Sequence, residues 1–140
     1  LSNDAFDLVR ANVGRHHNTP RNILENLSTD EAVSVRAAVA TNVNIAASLL
    51  ENLGKDSENE VLRAVARQHS TRLATLKVLA NSEDAEIQLA IATHPNTSRE
   101  ILTLLASGKR DESVKNKAQS RLEPIIRNEI REDVLERWSQ

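Results

Sequence analysis

The hydrophobic positions of this chain recur at a spacing of 26 residues, and small residues recur between them. Two apolar columns lie four residues apart: Val9, Val35, Val61 and Ile87, then Val13, Val39, Val65 and Ile91. Apolar residues at i and i+4 form one stripe of an α-helix, and small neighbours allow another helix to approach closely. The pattern predicts one such helix in each repeat.

A second, Leu-rich stripe follows the first in every repeat. Its columns are Ile23, Leu49, Thr75 and Ile101; Leu24, Leu50, Leu76 and Leu102; and Leu27, Leu53, Leu79 and Leu105. This stripe predicts a helix of about two turns, which is marginal in isolation and must be held by its neighbours. Connections of four or five residues make consecutive helices adjacent in space. We therefore expect the repeats to unfold cooperatively.

Polar residues in the breaks predict where helices begin. The motif "NTP" ends at Pro20, which the pattern places at the first helical position. The motifs "STDE" (Ser28 to Glu31), "SENE" (Ser57 to Glu60) and "TSRE" (Thr97 to Glu100) have the spacing of capping boxes. Each predicts a side-chain cap at the start of the next helix.

Together these elements predict a single all-α domain over residues 1–140, in which two-helix units stack as a solenoid. The predicted repeats span about 4–29, 30–55, 56–81 and 82–108, followed by a partial repeat at 109–123 and a capping helix at 124–138. The polar column of Asn26 and Asn52 continues as Val78 and Leu104. This change predicts that something apolar covers the last repeats.

The two ends depart from the repeat. The pattern of the first helix of each repeat recurs at Val114 to Ala118, one residue out of register. Pro124 is expected to be the first residue of the capping helix. Near the start, Phe6 and Leu8 are apolar, which predicts either a contact surface or contact with preceding sequence. The chain begins at Leu1 and contains no Met, so we expect a fragment or a processed product.

Composition narrows the function classes. The chain has no Cys, which excludes disulfides, thiolate metal sites and thiol nucleophiles. No apolar run approaches the ~18 to 20 residues that a membrane span needs. The 18 basic and 20 acidic residues are nearly balanced, which weighs against nucleic acid and anionic membranes as partners. We expect a soluble, cytoplasmic protein.

The segments "VRAAVATN", "HHNTP" and "HPNTS" resemble the leucine-rich repeat variant (LRV) family of bacterial proteins. The resemblance covers most of residues 5–121 and implies a right-handed superhelix akin to HEAT-type solenoids. The family repeat is about two residues shorter, so the second helix is free to be fully α-helical here. A family member has a cysteine-ligated iron–sulfur cluster, but this chain has no Cys, so no cofactor is expected. For function, the resemblance implies an interaction scaffold.

Histidines and carboxylates were the candidates for chemistry. The four histidines lie in the turns of three repeats and are expected to be too far apart to converge on one metal ion, so that only His16 and His17 could bind a common ion. The preferred interpretation is a polar ladder that bonds turn backbone groups: His16, Asn42, Gln68 and His94, beside Asn18, Asn44, Ser70 and Asn96. The carboxylates cluster at helix starts, where they complement the helix dipole. The three glycines are isolated, so the sequence predicts no phosphate loop, no catalytic site and no enzyme.

Protein binding remains the favoured function, with a nucleic-acid-binding HEAT-like solenoid as the alternative. No Arg column is basic throughout, and stacking aromatics are lacking. The candidate protein-binding surface is the outer face of the second helices: Arg21, Asn22, Glu25, Asn26, Ser48, Glu51, Asn52, Lys77, Arg99 and Glu100. Which of the two helix rows lines the concave side stays open at this point.

Overall fold

The computed structural model describes residues 2–140, with side chains from Ala5 onward, and this part of the chain is all-α with nine helices and no strand. The helices are α1 (Ser2–Arg15), α2 (Arg21–Leu27), α3 (Val33–Ala40), α4 (Ala47–Leu53), α5 (Asn59–Arg67), α6 (Leu73–Leu79), α7 (Ala85–Thr93), α8 (Arg99–Ala106) and α9 (Glu112–Ser139). None of these helices is both long and apolar enough to cross a membrane.

Odd-numbered and even-numbered helices have different neighbours. Each odd helix packs on the next odd helix, from α1 on α3 through to α7 on α9. Each even helix contacts the odd helices that precede and follow it in the chain. The connections contain five residues, except for six at residues 41–46. Chain order and spatial order therefore agree throughout.

The core is formed by the apolar columns of the odd-numbered helices and of the even-numbered helices. Val39, Val65 and Ile91 of the odd helices are 0% exposed, and Leu50, Leu76 and Leu102 of the even helices are equally well buried. The prediction of two buried stripes is confirmed at these positions. Small aliphatic side chains fill the interface between odd helices, which lets their backbones approach closely.

The first odd helix departs from the predicted columns. Val9 and Val13 are 60% and 40% exposed, so the prediction that they join the core is wrong. In α1 the buried residue is Ala11, which packs with Val35 and Ala38. The reason is that α3 covers one side of α1 only, and the two valines lie on another side.

Helix starts also differ from the prediction. Ser98, and not Thr97, caps α8 by accepting a backbone N–H of the first turn at 3.3 Å. Neither α3 nor α5 has a side-chain cap. Instead, Asp30 and Asp56 accept the backbone N–H two residues further on, at 2.9 and 3.0 Å. A neighbouring aspartate thus replaces the serine of each predicted capping box.

The last helix is continuous through Pro124, whereas the sequence predicts a separate capping helix that begins there. A proline inside a helix removes one backbone hydrogen bond and costs about 3 kcal/mol. Leu122 and Ile125, on either side of it, pack on the core and offset that cost. Every residue after Ile125 is exposed, and Val78 and Leu104 are 63% and 40% exposed. The predicted apolar cover is therefore not formed by the described residues.

Candidate functional site

A buried side chain ties the end of α3 to the end of α1. The Asn42 amide donates to the carbonyl oxygens of Gly14 at 2.8 Å and His16 at 2.9 Å. Its own oxygen accepts the backbone N–H of Asn44 at 2.9 Å. Asn42 is 0% exposed, so its amide depends on these partners for hydrogen bonding, and the bond to the buried Gly14 satisfies a carbonyl inside the protein.

In the following turns, other side chains make the equivalent hydrogen bonds to the preceding turn. The Gln68 amide donates to the carbonyls of Ala40 and Asn42 at 2.9 and 3.0 Å. The His94 Nε2 lies 2.8 Å from the Gln68 carbonyl, and the Asn96 backbone N–H donates to His94 Nδ1 at 3.0 Å. Because Nδ1 accepts, the proton of the neutral imidazole is on Nε2. The predicted polar ladder is confirmed at these three turns.

Arg121 of α9 extends this ladder. Its guanidinium donates to the carbonyls of Ala92 and His94 at 2.7 and 2.8 Å. The sequence analysis did not name Arg121, although the one-residue offset at Val114 points to it. Four residue types thus make equivalent bonds, each to carbonyls 26 to 29 residues earlier.

The histidines are more closely associated than the sequence predicts. His16 and His17 stack with ring centroids 4.8 Å apart, and His69 lies 6.5 Å from His94. The sequence analysis did not predict that His69 and His94 lie side by side. Burial lowers the pKa of His94, and the neighbouring His69 and Arg121 lower it further. Among the side chains that the structure describes, from Ala5 onward, no group of three or more His, Asp or Glu could hold a metal ion.

Three Arg–Asp pairs, which the sequence analysis missed, link α1, α3 and α5 to the turn before the next odd helix. They are Arg10–Asp30 at 2.7 Å, Arg36–Asp56 at 2.8 Å and Arg63–Asp84 at 2.5 Å. Arg10 and Arg63 lower the pKa of their carboxylate partners by hydrogen bonding. Burial opposes ionisation of Asp56, but Arg36 and the backbone N–H of Glu58 outweigh it, so that pKa is lowered too. These pairs join helices; they do not form a reactive site.

Beside depressions of about 670 Å³ at the turns that precede α7 and α9 and of about 590 Å³ at α1 and the turn that follows it, a concave surface lies on the odd helices. It is a groove of about 520 Å³ across α3 and α5, with its ends at α1 and α7. Its lining residues are Arg15, Ala37, Ala38, Thr41, Val43, Glu60, Arg63, Ala64, Arg67, Gln68, His69 and Glu86. We call it the odd-helix groove. Its alanines leave room for atoms of a ligand to approach the helix backbones.

The odd-helix groove has a rim of both charges. Arg63 is held by Asp84 and lies 3.5 Å from Glu86, which also contacts Arg67 at 3.3 Å. Val43, which is 70% exposed, adds an apolar side chain at one end. Paired charges beside an alanine floor can orient a polypeptide by hydrogen bonds while its side chains fill the groove.

The candidate surface on the even helices is exposed, but its residues are not gathered into one site. All ten predicted residues are exposed except Glu51, which is half-buried. Arg21 pairs with Glu25 in its own helix at 2.9 Å. Glu51 lies 3.4 Å from Arg72, and Arg99 contacts Glu129 of α9 at 2.7 Å. Several of the charges expected to meet a partner are thus already occupied within the chain.

Two shallow depressions accompany the even helices. One, of about 190 Å³, includes Glu51 and lies between α4 and α6, and another includes Arg99 and Glu100. Asn22, Asn26, Ser48, Asn52 and Lys77 line none of the depressions found on this face. Sequence reasoning missed the odd-helix groove because it assigned the alanine columns to helix contacts alone.

Comparison with protein-family models, curated proteins and solved structures gives no match to this chain.

Proposed function

We propose that this chain is a non-catalytic protein-interaction module, built as an α-solenoid with a 26-residue period, that binds a segment of another protein in the odd-helix groove. The solenoid is supported by the succession of contacts between odd helices and by hydrogen bonds from Asn42, Gln68 and Arg121 to carbonyls about one period earlier. Neighbouring units contact one another, as in other stacked repeats.

The odd helices line the concave side in this proposal. Successive odd helices make extensive contacts, whereas successive even helices make few. A stack whose elements are close on one side and spread on the other curves toward the close side. The odd-helix groove is the observation that supports the function best, because it lies on that side.

The chemistry of the groove favours a polypeptide ligand. Its floor of Ala37, Ala38 and Ala64 accepts aliphatic side chains. Thr41 and Gln68, whose donors already bond carbonyls of the chain, add side-chain oxygens that can accept a peptide N–H. Arg67 and Glu86 supply both charges at the rim. We infer an extended or helical segment with small apolar side chains flanked by charged ones.

Catalysis and nucleic-acid binding are less well supported by the same geometry. The shifted carboxylates, Asp30, Asp56, Asp84, Glu100 and Asp111, all have a lowered pKa, whereas a general acid or base near neutral pH needs a raised one. Of the three arginines that line the groove, Arg63 and Arg67 contact acidic side chains, so little of their charge is left for phosphates.

Membership of the LRV family is part of this proposal. It is based on the motifs "VRAAVATN" and "HPNTS", whose turn residues Asn42 and His94 have equivalent bonds in the structure. The even helices are α-helical, in agreement with a repeat longer than that of the family. The right-handed superhelix stays a prediction of the resemblance.

A displayed random-peptide library tests the groove directly. Selected peptides are measured by calorimetry against the wild type and against Thr41→Arg, which places a long cation in the groove from an exposed position. Ser48→Arg, at an exposed serine of α4, is the matched control. We expect Thr41→Arg to weaken binding at least about tenfold, which is about 1.4 kcal/mol, and Ser48→Arg to leave it unchanged.

The reverse pattern would refute the groove and support the even-helix surface. Fluorescence anisotropy with a generic DNA duplex tests the alternative class in parallel. A Kd weaker than about 10⁻⁴ M at physiological salt removes nucleic-acid binding, whereas a tighter Kd that rises with salt would contradict the protein-binding proposal.

A further inference from the structure

The odd-helix groove has a positive charge at its α1 end. Arg15, the last residue of α1, lines the groove and is exposed. Its guanidinium donates to the neutral side chain of Asn12 at 3.4 Å and forms no ion pair with any residue that the structure describes. The α1 end therefore carries a guanidinium charge that no carboxylate of the described residues balances.

The other end of the groove, at α5 and α7, carries an excess of negative charge. Arg63 lies 2.5 Å from Asp84 and 3.5 Å from Glu86, and Arg67 lies 3.3 Å from Glu86. Glu60 also lines this end, is exposed, and forms no ion pair within the part of the chain that the structure describes. Three carboxylates thus accompany two guanidiniums, and the charge of Glu60 is left for a ligand.

The groove also presents hydrogen-bond acceptors between these two ends. The Thr41 hydroxyl donates to the Ala38 carbonyl at 2.7 Å, and the Gln68 amide donates to two carbonyls at the end of α3 and in the turn after it. The oxygens of both side chains can still accept a hydrogen bond. A helical ligand uses most of its backbone N–H groups internally, whereas an extended ligand has them free. These acceptors therefore favour an extended segment.

We propose that the odd-helix groove binds an extended segment of another protein that places an acidic residue at Arg15 and a basic residue at Glu60. The helices of Arg15 and Glu60, α1 and α5, are separated by α3. Neighbouring helices lie about 8–10 Å apart, so the two charges of the ligand are about 16–20 Å apart. An extended chain advances about 3.3 Å per residue, which puts about five or six residues between one charge and the other. This inference rests on the proposed function and adds the conformation, charge and spacing of the ligand.

Selection from a displayed random-peptide library tests the charge pattern of the ligand. Peptides that bind the wild type are sequenced, and the selection is repeated on the variant Arg15→Glu. We expect peptides selected on the wild type to be enriched in an acidic and a basic residue at this spacing. Peptides selected on Arg15→Glu should have a basic residue in place of the acidic one. Peptides that bind the wild type without such a pair would overturn the inference.

Calorimetry with one selected peptide tests the two charges separately. Arg15→Glu should raise the Kd about threefold to tenfold, because an exposed attraction becomes a repulsion of similar size. A peptide whose acidic residue is replaced by Lys should bind this variant better than the original peptide does, which a merely structural role of Arg15 would not produce. Glu60→Lys should likewise weaken binding and be rescued by a peptide whose basic residue is replaced by Glu. Arg127→Glu, at an exposed arginine of α9 outside the groove, is the control and should leave the Kd unchanged.

The same measurements separate this inference from the proposed function. If Thr41→Arg weakens binding but the charge reversals do not, or if neither complementary peptide restores it, the groove binds a peptide and the charge assignment is wrong. If Thr41→Arg has no effect, or if no peptide is selected, the proposed function fails and this inference fails with it. Circular dichroism checks that each variant keeps the fold of the wild type.

Discussion

Replacing Asn42 by Ala tests the polar ladder at its most buried member. The change removes an amide that donates to two carbonyls, those of Gly14 and His16, and that accepts the N–H of Asn44. No water reaches Asn42, which is 0% exposed. The carbonyl of Gly14 would lose its partner in a buried position, and the turn would lose the bond that orients it.

The expected loss of stability follows from these three bonds. A typical hydrogen bond contributes about 1 kcal/mol, and a buried group left without a partner costs about 1–3 kcal/mol. We therefore expect Asn42→Ala to lower the free energy of unfolding by about 3–4 kcal/mol and Tm by about 10 °C. Asn44→Ala is the control, because Asn44 is exposed and its side chain makes one bond, at 2.6 Å to the His17 carbonyl.

Urea unfolding followed by far-UV circular dichroism measures both variants. We expect Asn44→Ala to lose less than about 1 kcal/mol, since exposed groups exchange their bonds with water. Equal losses for Asn42→Ala and Asn44→Ala, both below about 1 kcal/mol, would show that the ladder does not stabilise the stack.

Further consequences concern pH, ion pairs and cooperativity. Burial lowers the pKa of His94 below its unfolded value of 6.5, so the contribution of His94 to stability is complete above that pH and declines as the pH falls toward the folded-state pKa. The variant His94→Gln should therefore make the urea midpoint less dependent on pH between 7 and 5. An unchanged dependence of the midpoint on pH would refute this reasoning. Arg36→Ala should lower the free energy of unfolding by about 1–3 kcal/mol, because the side chains of Arg36 and Asp56 are only 16% and 11% exposed. Arg21→Ala, which removes an exposed ion pair, should lower it by less than about 0.5 kcal/mol. Equal losses in thermal unfolding would show that the Arg36–Asp56 pair does not stabilise the fold. Leu50→Asp buries a charge at a position that is 1% exposed and should unfold the whole chain in one transition; loss of helicity in one repeat alone would exclude cooperative stacking.

The repeated columns were sufficient to predict the helices because burial is periodic. Val39, Val65 and Ile91 have the same surroundings, so one pattern describes all of them. The pattern fails at Val9, because no helix packs on the side of α1 that carries this valine. A column of apolar residues predicts an apolar stripe on a helix, but it does not show which element packs against that stripe. It fails again at Pro124, where packing of the flanking residues outweighs the local preference for a helix start.

Less of the candidate site than of the fold could be predicted from the sequence. The ladder could be predicted at Asn42 and His94 because turn residues with polar side chains recur. The Arg36–Asp56 pair was missed because the aspartates were assigned to helix starts, which left the arginines without partners. The sequence does contain the signal, since the Arg and the Asp each recur after 26 residues. The odd-helix groove depends on the spacing of several helices, which results from many small packing distances and is not visible in any single column.

Stacking itself is tested most directly by NOE spectroscopy on the uniformly labelled protein. We expect cross-peaks from the Asn42 side-chain amide protons to backbone protons around Gly14 and His16, and from the Gln68 amide protons to those around Ala40 and Asn42, with slow exchange of the Asn42 amide. Rapid exchange of both amides, with cross-peaks to their own neighbours in sequence only, would show that the turns are not stacked.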